Sequence, residues 1–83
     1  MKSMNVKVYV TLKPGVLDPQ GKAVQQALHR MSYGEVEDVR IGKYIQLAVN
    51  AKNRDEAEAR IGQMCERLLA NTVIESYSFE INE

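Results

Sequence analysis

Apolar and polar residues alternate near the start of the chain. The apolar positions of this pattern are Val6, Val8, Val10 and Leu12. A period of two over residues 6–13 predicts a half-buried β-strand. Lys13-Pro14-Gly15 ends the strand, because proline lacks a backbone N–H and glycine favours a turn.

The next apolar residues recur at helical spacing. Asp18 and Pro19 predict the start of a helix, since Asp can cap it and Pro suits its first position. Gly34 is the predicted stop. Apolar residues between Pro19 and Gly34 form one stripe along this helix; they are Ala23, Val24, Ala27, Leu28 and Met31.

Residues 36–50 are strand-like, with a break at Gly42-Lys43. Two antiparallel strands joined by a tight turn are one interpretation, and a single bent strand with a bulge at Gly42 is the other. The pattern does not decide between them, because the favoured Asn-Gly or Asp-Gly turn pair is absent.

A second helix is predicted after Asn53 or Asp55, either of which can cap it. Its apolar stripe consists of Ala57, Ile61, Met64, Cys65, Leu68 and Leu69. Residues 70–72 end the helix, and residues 73–82 predict a last strand with Tyr77, Phe79 and Ile81 on one face.

The predicted order is therefore βαββαβ, that of a ferredoxin-like α+β fold with an antiparallel sheet. Each helix has one apolar stripe, so both are expected on one face of the sheet. The other face is mixed in polarity, and we expect this chain to form homo-oligomers through that face or through an edge strand. Its residues are Lys7, Tyr9, Thr11, Tyr44, Gln46, Ala48, Ser76 and Ser78.

Length and charge narrow the possible functions. The 83 residues predict one domain, 1–83, with a thin core. Eleven basic and eleven acidic side chains argue against a nucleic-acid partner. Residues 1–50 carry seven basic and four acidic side chains, a net of +3, and residues 51–83 carry four and seven, a net of −3. This division fits either ordinary solvated surfaces or a dipolar subunit whose first half meets an acidic partner.

The cellular location is expected to be the cytoplasm. A single cysteine fits a reducing compartment. No apolar run approaches the roughly 18–20 residues of a membrane span, so no membrane association is expected. The first residues lead directly into a strand pattern without the apolar region of a signal peptide.

The sequence offers little for covalent chemistry. Cys65 lies on the core stripe of the second helix, where a thiol is inert, and His29, the one histidine, lies off the stripe of the first. Zinc-ligand spacings and nucleotide-binding glycine motifs are absent. We therefore predict no catalytic, cofactor-binding or metal-binding residue on this chain.

Two segments are candidates for contact with a partner protein. The loop 13–21 is stiffened by both prolines, which suits either a docking surface or a simple staple that holds the helix to the core. Arg40 and Lys43 near Gly42 suit either an anionic group on a partner or a charged edge that blocks aggregation. The predicted contact residues are Lys13, Pro14, Gly15, Val16, Asp18, Pro19, Arg40, Gly42 and Lys43.

Three strings place the chain near a known family. VTLKPGVLDPQGKAV (10–24), VEDVRIGKYIQL (36–47) and MCERLLANTVIESYSFEI (64–81) resemble the PurS subunit of phosphoribosylformylglycinamidine synthase, in order and spacing. Thr72 departs from the family pattern, which usually has Pro there; a proline would only sharpen the end of the helix.

The resemblance implies a small, non-catalytic subunit of an ATP-dependent, glutamine-hydrolysing ligase of purine biosynthesis. The implied partners are the glutaminase PurQ and the synthetase PurL, which use glutamine, ATP and Mg²⁺. The implied role is to bridge them and to support ammonia transfer to formylglycinamide ribonucleotide, as a homodimer or dimer of dimers. An ACT-like module that binds small molecules shares the element order and is the alternative. An RNA-recognition module is less favoured, because the paired aromatic signature is absent.

Overall fold

The computed structural model describes residues 2–83. Within this range the chain forms three strands and two helices, and the second helix runs into a π-helical segment. The elements are β1 (Lys2–Leu12), α1 (Pro19–Arg30), β2 (Gly42–Ala51), α2 (Arg54–Met64), the π-helical segment Cys65–Leu69, and β3 (Glu75–Asn82). The predicted α+β class, with an antiparallel sheet and two helices, is confirmed.

β1 is the central strand of the sheet. The strand order is β2-β1-β3, and both pairings are antiparallel. The side chains on the inner face of β1 are almost completely buried, because two strands flank them and α2 covers them; they are Met4, Val6, Val8 and Val10. The alternation in the sequence thus identified the core face of this strand, which begins four residues earlier than the pattern indicated.

α2 closes the core from one side. Asn53 is its N-cap, since the side-chain oxygen accepts a hydrogen bond from the backbone N–H of Glu56 at 2.8 Å. Ala57, Ile61 and Cys65 are fully buried against the sheet. These three positions follow the predicted helical stripe.

The stripe breaks at Leu68, whose side chain is 83% exposed. In the π-helical segment the backbone N–H of Ala70 donates to the carbonyl of Cys65, five residues back, at 3.0 Å. This wider turn rotates Leu68 away from the sheet and brings Leu69 and Ala70 to the core instead. An α-helical period therefore predicts the wrong face for Leu68.

Residues 36–41 form neither of the two structures that their pattern allowed. They run extended beside α1, and the ladder begins only at Gly42, so the sheet has three strands where the pattern predicts four. Side chains of α1 bind the backbone of this segment. Gln25 Nε2 donates to the carbonyl of Glu37 at 2.9 Å, and His29 Nε2 donates to the carbonyl of Val36 at 2.7 Å. These bonds replace those of a strand ladder.

The end of α1 differs from the predicted stop at Gly34. The N–H of Tyr33 donates to the carbonyl of Leu28, and the N–H of Ser32 donates to that of His29, which together form a Schellman motif. Ser32 takes the left-handed conformation, with φ 77°. The helix thus ends at Arg30 by backbone hydrogen bonding, without a glycine.

We call α1 together with residues 36–41 the arm. Gly21 is the one buried residue of α1, while Val24 is 39% exposed and Met31, the C-cap, is 64% exposed. No α1 side chain belongs to the described core, so α2 alone forms the helical layer over the sheet. The chain measures 52 × 25 × 14 Å. Its radius of gyration is 16.4 Å, against about 12 Å expected for a compact domain of this length.

Candidate docking site

The loop between β1 and α1 begins with a tight turn. The N–H of Val16 donates to the carbonyl of Lys13 at 3.1 Å, and Gly15 has φ 85°. Proline at the second position and a positive φ at the third are the signature of a type II turn. The N–H of Lys13 donates to the carbonyl of Ile74 at 2.8 Å, which ties the turn to the residues before β3.

Asp18 lies at the centre of the loop and is the one buried charged residue described. Its Oδ1 accepts from the N–H of Gly21 at 2.9 Å and caps α1. Its Oδ2 accepts from the N–H of Ile41 at 2.9 Å. The Gly21 and Ile41 amides, with a further contribution from the charge of Arg40, lower the pKa of Asp18. One ionised carboxylate therefore joins the start of the helix to the end of the extended segment.

Two more contacts close the same junction. A Cβ at Gly21 would collide with the carbonyl oxygen of Val39, so the helix and the segment meet here at backbone distance. Arg40 donates from a guanidinium nitrogen to the carbonyl of Val16 at 3.1 Å. The loop and the extended segment therefore form one continuous surface.

The structure brings together most of the residues predicted for partner contact. We use the name docking site for the loop 13–21 and residues 40–43, which together are the candidate surface for partner contact. A cavity of approximately 280 Å³ at this site is lined by Asp18, Pro19, Gly42 and Lys43, among others. A smaller one of approximately 210 Å³ is lined by Val16, Asp18 and Arg40.

Lys43 points in a different direction from Arg40. Its Nζ lies 3.7 Å from a carboxylate oxygen of Glu75 and 3.5 Å from the carbonyl of Leu69. The side chain therefore reaches across the inner side of the sheet toward the π-helical segment. Gly42 lies against β1, where a Cβ would meet the carbonyl oxygen of Val10.

Leu17 is a contact candidate that the predicted set omits. Its side chain is 76% exposed, whereas the neighbouring Val16 is half-buried. Two adjacent apolar residues in a loop carry no periodicity, so the sequence could not show which of them pointed outward. Leu17 is therefore an exposed apolar side chain on this loop, between its two prolines.

The outer face of the sheet holds a pair of tyrosines. The rings of Tyr9 and Tyr44 stack with centroids 5.4 Å apart and an interplanar angle of 22°. Gln46 Nε2 donates to the hydroxyl of Tyr44 at 3.1 Å. Partial burial, together with the nearby Glu80 carboxylate, raises the pKa of Tyr9. The face is mixed in polarity, as the alternation predicted.

The described residues contain little that could carry covalent or metal chemistry. Between residues 2 and 83 no three His, Cys, Asp or Glu side chains lie close enough to hold a metal ion. Cys65 is fully buried, and burial raises the pKa of its thiol, which keeps it protonated and unreactive. No helix in this part of the chain is long and apolar enough to span a membrane.

Comparison with known proteins identifies the family. A family profile described as "PurS: Phosphoribosylformylglycinamidine (FGAM) synthase" matches residues 5–83. The PurS subunit of phosphoribosylformylglycinamidine synthase from Bacillus subtilis (strain 168) is 60% identical over 78 residues, which cover 94% of this chain and 92% of the relative. The chain belongs to the PurS family. The resemblance seen in the sequence is thereby confirmed, and the chain is a subunit of FGAM synthase.

Solved PurS structures share the fold as well. The Bacillus subtilis PurS structure in its C2 crystal form has a TM-score of 0.87 and 59% identity, and covers 96% of this chain and 99% of that one. A chain in the structure of PurLQS from Thermotoga maritima has a TM-score of 0.90 and 31% identity, over 98% of this chain and 99% of that one. The three-stranded sheet and the arm therefore belong to a fold that these PurS structures share.

Proposed function

We propose that this chain bridges the glutaminase and synthetase subunits of FGAM synthase, PurQ and PurL, in the cytoplasm. The observation that carries the proposal is the match, over almost the whole chain, to the PurLQS structure from Thermotoga maritima. The docking site supports it, since it presents ordered, partly apolar surface and no catalytic group. One free, buried cysteine agrees with a reducing compartment.

The chemistry explains why such a bridge is useful. Ammonia released from glutamine is mostly protonated at neutral pH, and the protonated form is not a nucleophile. The site that releases ammonia and the site that uses it must therefore be held in a fixed relation, with water kept out between them. A small rigid subunit serves this purpose by its contacts alone. The ATP, Mg²⁺ and glutamine of the reaction are bound by the partner subunits in this proposal.

The bridge is expected to work as a homodimer or as a dimer of dimers. The apolar stripe of α1, which includes Val24 and continues to Met31 at the C-cap, is partly exposed within one chain. An amphipathic helix is stable when that stripe is covered, and a second copy of this chain is the proposed cover. The stacked tyrosines on the outer sheet face offer a further surface for association.

Reconstitution tests the bridge directly. Purified PurL and PurQ are mixed with and without this chain, and the rate of FGAM formation is measured with glutamine and, separately, with ammonium chloride. Omission of the chain is expected to abolish the glutamine-dependent rate and to leave the ammonia-dependent rate unchanged. An equal loss of both rates, or no loss of either, would contradict the bridging role.

Charge reversal tests the docking site. Arg40→Glu and Lys43→Glu, made separately, are expected to weaken assembly with PurL and PurQ by about tenfold. Arg40→Glu introduces a repulsive charge at the contact. Lys43→Glu removes the ion pair with Glu75 that holds this side chain across the inner side of the sheet. Lys52→Glu is the matched control, since it makes the same change at an exposed lysine in the turn before α2. Circular dichroism checks that each variant is folded. Full assembly by both docking-site variants would exclude these side chains from the contact.

A further inference from the structure

The junction at Asp18 joins two parts of the docking site that are far apart in sequence. The Ile41 amide is 23 positions away from Asp18, and no strand ladder lies between them to hold it in place. Each carboxylate oxygen has one amide partner at 2.9 Å, one in α1 and one in the extended segment. The side chain is buried, so its geometry is fixed by these partners and not by solvent.

The surrounding contacts depend on the same geometry. The close approach of Gly21 to Val39 brings the two backbones together, and the bond from Arg40 to the Val16 carbonyl lies on the outer side of the junction. Loss of the link to Ile41 would let residues 36–41 move relative to the loop 13–21. The docking site would then no longer be ordered before its partner arrives.

We propose that Asp18 is a positioning residue for docking: its carboxylate sets the loop 13–21 and residues 40–43 in one fixed arrangement without itself touching the partner. This inference rests on the bridging function proposed above. Docking of an ordered surface avoids the entropy lost when a mobile segment is immobilised at an interface. The effect of Asp18 is therefore on the affinity of the chain for PurL and PurQ and not on the rate of the assembled enzyme.

Asp18→Asn is the most direct variant. Asparagine remains a good N-cap for α1 through its one oxygen, but its NH₂ group cannot accept a hydrogen bond from the Ile41 amide. Asp38→Asn is the matched control. It removes the same charge from the same surface, and the Asp38 carboxylate bonds only the adjacent Val39 amide at 3.0 Å. Gly21→Ala retains Asp18 but places a Cβ against the Val39 carbonyl oxygen and 2.8 Å from Oδ2 of Asp18, so it disturbs both sides of the junction sterically.

Two measurements are made on each variant. The first is amide hydrogen exchange at Ile41 in the chain alone, where protection is expected to fall in Asp18→Asn and Gly21→Ala and to persist in Asp38→Asn. The second is a titration of PurL and PurQ with the chain. The concentration that gives half of the glutamine-dependent rate is expected to rise about tenfold for the first two variants, while the rate at saturation is unchanged.

The outcomes separate this inference from the bridging function. The positioning role would be overturned if Asp18→Asn gave half of the glutamine-dependent rate at the same concentration as the unmodified chain. It would also be overturned if Asp18→Asn docked more weakly while the Ile41 amide stayed fully protected from exchange. The role would likewise be overturned if Asp38→Asn required as high a concentration as Asp18→Asn, since loss of one negative charge alone would then explain the weaker docking. An unmodified chain that restores no glutamine-dependent rate would refute the bridge itself, and exchange at Ile41 would then decide whether Asp18 orders the junction.

Discussion

Two glycines of this chain differ in the space around them. A Cβ at Gly42 would meet the carbonyl oxygen of Val10 and would lie 2.9 Å from Cγ2 of Thr11, because the start of β2 presses on β1. Gly62 lies in the interior of α2 and has no heavy atom within 4 Å of such a position. The first glycine is required by packing, and the second is not.

The same substitution should therefore have opposite effects at these positions. Gly42→Ala is expected to lower the free energy of unfolding by about 1–3 kcal/mol, because an added methyl group forces two strands apart. Gly62→Ala is expected to raise it by about 0.5–1 kcal/mol, because alanine loses less conformational freedom in a helix. Urea denaturation of the two variants measures both changes. Equal stability of the Gly42 variant and the original chain would show that β2 can move aside at no cost.

Asp18 also predicts how stability depends on pH. Its pKa is lowered in the folded chain, chiefly by the Gly21 and Ile41 amides, so folding favours the ionised form. The contribution is present above the ordinary pKa of Asp, about 3.9, and is lost as the pH falls through the lowered value. The other charged groups around its two cavities are Lys22, Asp38, Arg40, Lys43 and Glu75.

Urea titrations below pH 5 test this dependence. The free energy of unfolding of the original chain is expected to fall more steeply with decreasing pH than that of Asp18→Asn, which has no carboxylate to protonate at this position. Asp38→Asn serves as the control for removal of a carboxylate whose one hydrogen bond is to its neighbour. Parallel curves for the original chain and Asp18→Asn would contradict the assigned role of the carboxylate.

At the scale of elements, the last turn of α1 has its backbone carbonyls hydrogen-bonded, but the residue that follows the helix is not of the type usually found there. Ser32 occupies a left-handed conformation at the position that helices usually fill with glycine. The left-handed region is unfavourable for a residue with a Cβ by roughly 1–2 kcal/mol. The Schellman bonds of α1 hold Ser32 there against this preference.

Ser32→Gly is therefore expected to stabilise the chain by about 1 kcal/mol. Thermal unfolding followed by circular dichroism measures the gain as a higher melting temperature. Ser32→Ala is the control, because it removes the hydroxyl and keeps the Cβ, and no gain is expected from it. An equal gain from both variants would assign the effect to the hydroxyl instead of the backbone.

The elements also show what a sequence pattern can and cannot predict. Burial within a strand or helix follows the period of that element. Val6, Val8 and Val10 of β1 and Ala57 and Ile61 of α2 could therefore be assigned to the core from the sequence alone. Residues 36–41 have the alternation of a strand, but their backbone partners are Gln25, His29 and Asp18, and the sequence does not show which distant side chains will bind a backbone.

The arrangement of the residues in the candidate docking site was predictable in part. Two prolines and two glycines marked the loop 13–21 as constrained, and Asp18 before Pro19 marked the N-cap of α1. The positive φ of Gly15 fits the turn expected after Pro14. The proximity of Arg40 to that loop depends on the fold of the whole arm, and the orientation of Lys43 toward Glu75 depends on a strand at the far end of the chain. Neither could be derived from local spacing.

At the scale of the whole molecule, the arm sets the shape. The chain is 52 Å in its longest dimension, so it buries less of its surface than a nearly spherical domain would. Met31, which is 64% exposed, lies next to the turn at the far end of α1. Burial of an apolar side chain in that position by another surface would be favourable. The proposed second copy would supply that surface and would make stability depend on protein concentration.

Met31→Glu is expected to shift this chain from oligomer toward monomer, because a charge cannot be buried without a partner. Sedimentation velocity at matched concentrations measures the shift. Glu35→Gln is the control, since it changes charge at an exposed position four residues further along. Unaltered sedimentation of the Met31 variant would show that association uses another surface, with the Tyr9–Tyr44 pair as the next to test.

The three-stranded sheet has a consequence for how the chain can be produced. Among residues 2–83, β2 and β3 each leave one row of backbone N–H and C=O groups unpaired by another strand. Such rows template the addition of further strands, including those of unrelated molecules. Copies of the chain whose sheet edges are not covered are therefore expected to aggregate. The solubility of the polypeptide thus depends on a matched supply of the molecules that cover these edges.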